Sequence, residues 1–511
     1  MLLLAGVYAA VLAGTGGLWA LAVRPLPDRQ GPQTDGEMLG LLGLGLGWGF
    51  GVVPALAFMT YLAAGVAVGP TSVLAWALAS CVASFALWSW RSSRCAAPWL
   101  PLALAPSLHV HRAGLVLVTA IGLVYGLRWD RDVFSVGHSC IHQVGLIAAG
   151  ALPSTADVLR DNIQDARLGN PAVIAAFIGL FQGLGPRLLY GGCGLLIALG
   201  AWTTGVRLGG RTAGLVAAPA LALSPWLLKN PLVDENLLAL AAVATFAPWL
   251  LGRRAPWATL GLLAGLALGM RHALLLAVPA WLLAVLWANA GRWRSRSVWR
   301  FGGAMALATL PWHLHHHLAM GSVLRFESFG QVPPQPHDFG FGPVLWEGML
   351  NWPFYDMVVR TPHNPFPTAI LWPLWLLDHF GTLLCAVALV GCVTGWRQGW
   401  RKQSARWLWW LPLFLALAVQ EKWDDPNKMG VGLLLLWPLL EWGIGGARAI
   451  GRRPSLLAPA AACLALALWW LPTTLAAWQV PADPRYGAVF PEDAVELPDL
   501  LAAQRSEVLD V

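Results

Sequence analysis

Three basic residues, at two places, stand where a chain so poor in charge needs a reason for them. Arg271 and His272 interrupt the apolar run "GLLAGLALGMRHALLLAVPAWLL", and Lys428 follows "EKWDDPN" as another apolar run begins. An ionisable group in or beside a membrane-length apolar segment is costly and needs an opposite charge. Asp424 or Asp425 is the local partner for Lys428. The alternative is an anionic ligand such as a lipid phosphate, which would satisfy Arg271 equally well. Carboxylates gather in two further stretches. "LVYGLRWDRDVFSVGH" sets Asp130 and Asp132 just beyond an apolar helix, and "SPWLLKNPLVDENLLAL" sets Asp234 and Glu235 in a short turn before one. Continued as a helix, the first of these aligns Asp132, Ser135, His138 or Ser139, and His142 on one stripe, the pattern of an amphipathic helix lying flat on a membrane surface. Helix capping is the plain structural alternative for Asp132 and for Asp234. In "PWHLHHHLAMG", His313 and His317 share a helix face and offer two zinc ligands; polar rings at an interfacial helix end fit the same spacing.

The elements that must carry these residues are apolar. Of 511 residues, 57% are hydrophobic and 12% charged, and the mean hydropathy is +0.60. That leaves too little polar surface for a soluble domain and points to an all-α polytopic membrane protein. The 31 tryptophans agree, because indole rings settle at membrane–water interfaces. Continuous apolar runs, rather than short alternating strands, exclude a β-barrel. Runs near 2–23, 38–66, 71–90, 113–127, 186–206, 212–228, 236–251, 256–270, 272–290, 301–318, 370–395, 407–421, 429–447 and 455–475 predict a bundle of about 13–14 transmembrane helices. Residues 172–183 predict a further re-entrant or interfacial piece. The first run lacks the basic flank of a signal peptide and reads as a retained helix. The seven cysteines lie mostly in apolar segments without paired spacing, as helix-packing residues do.

Charge gives direction. Six connecting stretches carry no acid and hold 18 of the 33 basic residues: Arg91 to Arg112, Arg207 and Arg211, Arg253 and Arg254, Arg292 to Arg300, Arg397 to Arg406, and Arg448 to Arg453. With alternating helices all six share a face, which the positive-inside rule makes cytoplasmic. The net charge of +7 is therefore a topology signal and implies no nucleic-acid partner. The opposite face receives residues 128–185, 229–235, 319–369, 421–428 and 476–511; with nearby helix ends, this side holds 22 of the 26 acids and ten of the twelve histidines. The loop 24–37 is charge-balanced and leaves the direction of the first two helices open.

In this order and sidedness the motifs resemble the GT-C superfamily of polytopic membrane glycosyltransferases, the protein O-mannosyltransferase and aminoarabinose transferase kind (glycosyltransferase family 39-like). "WDRDVFSVGHSCIHQVGLIAAG" is similar to that family's acidic outer loop and juxtamembrane helix. "SPWLLKNPLVDENLLALAAV" is similar to its later acidic turn, and "GLLAGLALGMRHALLLAVPAWLL" to its Gly-rich helix pair. "LPWHLHHHLAMGSVLRF" resembles the helix entering its large outer loop, and "QEKWDDPNKMGVGLLLLWPLL" a late outer turn with a lysine. The resemblance covers roughly residues 113–475. It implies a catalytic module there, accessory helices over 1–112, and an extracytoplasmic tail over 476–511.

The implied reaction is inverting transfer of a sugar from a polyprenyl-phosphate-linked donor to an acceptor lipid, glycan or protein. Its setting is the extracytoplasmic face of the bacterial inner membrane. Asp132 or Asp130 would be the general base. Arg271 and Lys428, with His272 second, would stabilise charge developing on the phosphate. Asp234, Glu235, Asp424 and His138 would hold sugar or acceptor. The chemistry calls for no metal and no cofactor. A lipid-linked glycan flippase or transporter is the rival reading, expecting charges near the bilayer midplane and an internal repeat. A non-catalytic assembly protein is the third.

Overall fold

The computed structural model describes residues 2–25, 35–95, 111–128, 169–223, 234–252 and most of 255–320, with Ile147, Gly150 and a few helical residues near 388–393 and 440–444. All regular elements among them are helices: α1 (Leu2–Val23), α2 (Asp35–Gly47), a π-helical turn (Trp48–Val52), α3 (Val53–Ala64), α4 (Pro70–Cys95), α5 (Arg112–Arg128), α6 (Gly169–Phe181), α7 (Gly185–Gly209), α8 (Arg211–Ala222), α9 (Asp234–Leu250), α10 (Trp257–Met270), α11 (Val278–Ala288) and α12 (Arg296–Met320). Among the described residues, four stretches are long and apolar enough to cross a membrane: Leu2–Val23, Asp35–Ala64, Pro70–Ser93 and Arg187–Gly209. Helix is the form such sequence must take in a bilayer, because it satisfies every backbone donor and acceptor internally.

Three expectations are refined. Within the run 272–290 the described α-helix is Val278–Ala288, with Pro279 in its first turn, where its missing N–H costs nothing. Within the run 212–228 the described α8 ends at Ala222, with Leu223 as its C-cap. Residues 172–181 fall in α6, whose Ala172, Val173, Ala175, Ala176 and Phe177 are buried in the bundle, and Gln182 begins a short 3-10 turn. This turn, with Gln182 at φ +51°, leads into α7.

Lipid-immersed helices gain little from apolar burial, so their association rests on close packing and polar ties. Gly16 of α1 meets the Gly45 backbone of α2, and Gly49 meets the Leu12 carbonyl, leaving no room for a Cβ at either point. Trp19 stacks on Trp48 of the π turn at 3.9 Å and donates to Thr259 Oγ1 of α10 at 3.3 Å.

One end of the bundle is fastened by basic side chains. Arg91 of α4 donates to the Ala22 and Arg24 carbonyls at 2.6 and 2.7 Å. Arg207 of α7 donates to Gly36 O at 3.2 Å and Pro248 O at 2.7 Å, with its guanidinium 4.7 Å over the Trp249 ring. Trp249 itself donates to Gly40 O. Arg211 bonds Asp35 Oδ2 at 2.9 Å, and the buried His111 places Nε2 3.7 Å from Asp35 Oδ1. Both flanks of the loop 24–37 therefore lie at the basic end, which fixes the direction of α1 and α2 that charge counting left open.

Candidate functional site

The opposite end is where the sequence gathers its acids, and the helices that lead there are tied together. Tyr125, one turn before α5 ends at Arg128, donates its hydroxyl to the Ala222 carbonyl at the end of α8. A buried tyrosine needs an acceptor for its O–H, and this one joins the exits of two helices. Beyond α5 the chain continues to Asp130 and Asp132; beyond α8 it continues to Asp234 and Glu235. The backbone of Asp234 and Glu235 forms the first turn of α9, as an N-terminal pair of carboxylates should. α9 packs antiparallel on α10, so the start of α9 and the end of α10 share this end of the bundle. α10 closes at Met270, and the next two residues are Arg271 and His272.

Of the nine residues singled out from sequence, the structure thus positions Asp234 and Glu235 by their backbone. It also brings the last residue before Arg271 and His272 to the same rim. Arg271, His272, Asp130, Asp132, His138, Asp424 and Lys428 themselves lie outside the described residues, as do the side chains of Asp234, Glu235, His313 and His317.

Running inward from this rim is a cavity of about 190 Å³ that no sequence pattern announced. Phe50 of the π turn, Phe177 of α6, Cys193 of α7, Thr245 of α9, and Leu266 and Met270 of α10 contribute to its wall. Leu188, 40% exposed, carries the wall to the surface of the bundle. Thr245 spends its hydroxyl on the Ala242 carbonyl at 2.6 Å, so its side chain offers the cavity chiefly a methyl group. A space so lined stays dry and accepts hydrocarbon. Hydropathy could not have found it, because a cavity wall and a helix-packing face use the same residues. Tyr125 was more legible, since a hydroxyl within an apolar helix must be answered from a neighbour.

No protein-family model, curated protein or solved structure matches this chain. The site therefore has to be read from its own geometry.

Proposed function

We propose that the chain is a membrane glycosyltransferase of GT-C type that takes a sugar from a polyprenyl-phosphate carrier at the extracytoplasmic face. The observation that carries this reading is the apolar cavity whose wall includes Met270, directly ahead of Arg271 and His272. A lipid phosphate needs both halves of such a site, a dry channel for hydrocarbon and cations at its mouth. The isoprenoid chain enters beside Phe50, Phe177 and Leu266, and its phosphate meets Arg271, His272 and Lys428. Carboxylates are the remaining requirement. Asp132 or Asp130 removes the acceptor proton as the acceptor oxygen or nitrogen attacks the anomeric carbon. The sugar–phosphate bond breaks with its electron pair passing to the phosphate, whose growing charge the cations stabilise. Asp234, Glu235, Asp424 and His138 hold sugar and acceptor.

The test uses the full chain reconstituted in vesicles with a radiolabelled polyprenyl-phosphate sugar. Asp132→Asn is expected to lower transfer at least about a hundredfold, and Leu266→Trp, which fills the cavity, to raise the donor KM with little change in kcat. Full activity in both Asp132→Asn and Asp130→Asn, or an unchanged donor KM in a folded Leu266→Trp protein, would sink the reading.

A further inference from the structure

The turn between α11 and α12 is tied by hydrogen bonds and yet pairs none of its arginines with a carboxylate among the described residues. Asn289 closes α11, its side-chain amide donating to Val285 O at 2.7 Å. Gly291 follows at φ +73°, a conformation glycine adopts at little cost. The Ser295 hydroxyl donates to Asn289 Oδ1 at 3.3 Å and accepts from the Ser297 N–H at 3.2 Å. Backbone bonds from Arg292 N to Asn289 O and from Ser295 N to Arg292 O complete the frame.

On this frame Arg292, Arg294, Arg296 and Arg300 are all exposed. Among the described residues no carboxylate pairs with any of them; Arg294 leans over the Trp293 ring at 5.0 Å. Trp293 and Trp299 are themselves 58% and 66% exposed. Four exposed cations interleaved with two exposed indoles suit a phospholipid headgroup layer better than open water. Indole rings prefer that layer, and guanidinium forks pair with phosphate oxygens bidentately. The apolar surface continues along the same two helices, through exposed Leu283 and Trp287 of α11 and Leu307 and Leu310 of α12.

We propose that the α11–α12 turn is a binding site for an anionic phospholipid of the cytoplasmic leaflet, its phosphate held by the four arginines and its acyl chains lying along α11 and α12. Charge and apolar surface adjoin here in the order in which a phospholipid presents headgroup and tails. An acidic protein would answer the arginines and leave the exposed leucines bare. The inference is independent of the sugar-transfer reading.

The experiment titrates the purified full chain, in detergent at fixed salt, with dioleoylphosphatidylglycerol or dioleoylphosphatidylcholine and counts retained lipids by native mass spectrometry. Three proteins are compared: the parent, a variant with Arg292, Arg294, Arg296 and Arg300 all changed to Gln, and a control with Arg397, Arg401, Lys402 and Arg406 changed to Gln. A surface arginine near anionic lipid is worth roughly fivefold in binding. The first variant is therefore expected to retain phosphatidylglycerol at least about tenfold more weakly than parent and control, with phosphatidylcholine weak in all three. Should the fourfold variant fail to fold, the double change Arg294→Gln and Arg300→Gln is expected to weaken retention severalfold. Unchanged retention in the folded variant, equal loss in both charge variants, or equal retention of the neutral lipid would each overturn the proposal.

Discussion

Two pairs of long helices sit very differently in this bundle although hydropathy barely separates them. In α1 and α4, 22% and 28% of the spanning window is buried in protein; in the α2–α3 span and in α7 the figure is 67% for both. Yet α7 has the lowest mean hydropathy of the four, 1.4 against 1.7 for α1. In water the more buried helix would be the greasier one. In a bilayer the lipid tails are as apolar as the core, so central position is set by small residues and polar ties. α7 has both: Arg207 clasping two carbonyls of neighbouring helices, and a glycine face against α5. α4 instead turns Leu78, Val82 and Phe85 outward, as a helix that meets lipid does.

The contrast predicts a ranking of mutational costs, each readable as a melting shift of the purified protein in detergent. Gly265→Leu comes first. A Cβ there would stand 2.5 Å from the Met305 carbonyl of α12, so the helices must part at a cost of about 1–3 kcal/mol or more. Val82→Leu, on the outward face of α4, should by contrast leave the melting point in place; equal losses at the two positions would break the distinction between centre and rim. Arg207→Met is expected next, at about 1–3 kcal/mol, because the Gly36 and Pro248 carbonyls lose a charged donor. Tyr125→Phe removes one buried hydrogen bond to Ala222 O and should cost about 1 kcal/mol. If the proposed site is right, it should also disturb transfer activity more than its stability cost explains. Asp35→Asn is expected to be smallest. The Asp35–Arg211 pair is partly exposed, and such pairs contribute below about 1 kcal/mol, an effect that shrinks further as salt is raised.

Much of the helical framework was legible in the sequence because it depends on continuous apolar runs bounded by charge. α1 falls where the run 2–23 placed it, and α9 and α10 within two residues of theirs. The acid-free arginine stretches pointed to a shared basic end, and Arg91, Arg207 and Arg211 do gather at one end of the described bundle, but the loop 24–37 carried no such signal. There balanced charges hid the contacts that hold its flanks at the basic end, Asp35 with Arg211 and Arg91 with the Ala22 carbonyl. Two local features were not legible. The π turn inside "LGLGLGWGFGV" leaves no trace in hydropathy, and the onset of α11 at Val278 is a matter of helix-start geometry around Pro279. Of the candidate site, Asp234 and Glu235 at a helix start followed from their placement before an apolar run. The cavity did not, since it arises only where six helices from distant parts of the chain leave a gap.

The π-helical turn has a consequence for how one long span serves two neighbourhoods. A turn that closes i to i+5 instead of i to i+4 inserts roughly a quarter-turn of phase, about 100° at 3.6 residues per turn. Below it, α2 keys into α7 and α9; above it, α3 keys into α4 and α6. Trimming one residue from Trp48–Val52 to restore a regular helix would swing one half out of step with the other, so that either the Asp35–Arg211 contact or the seat of Phe58 and Tyr61 would have to be given up.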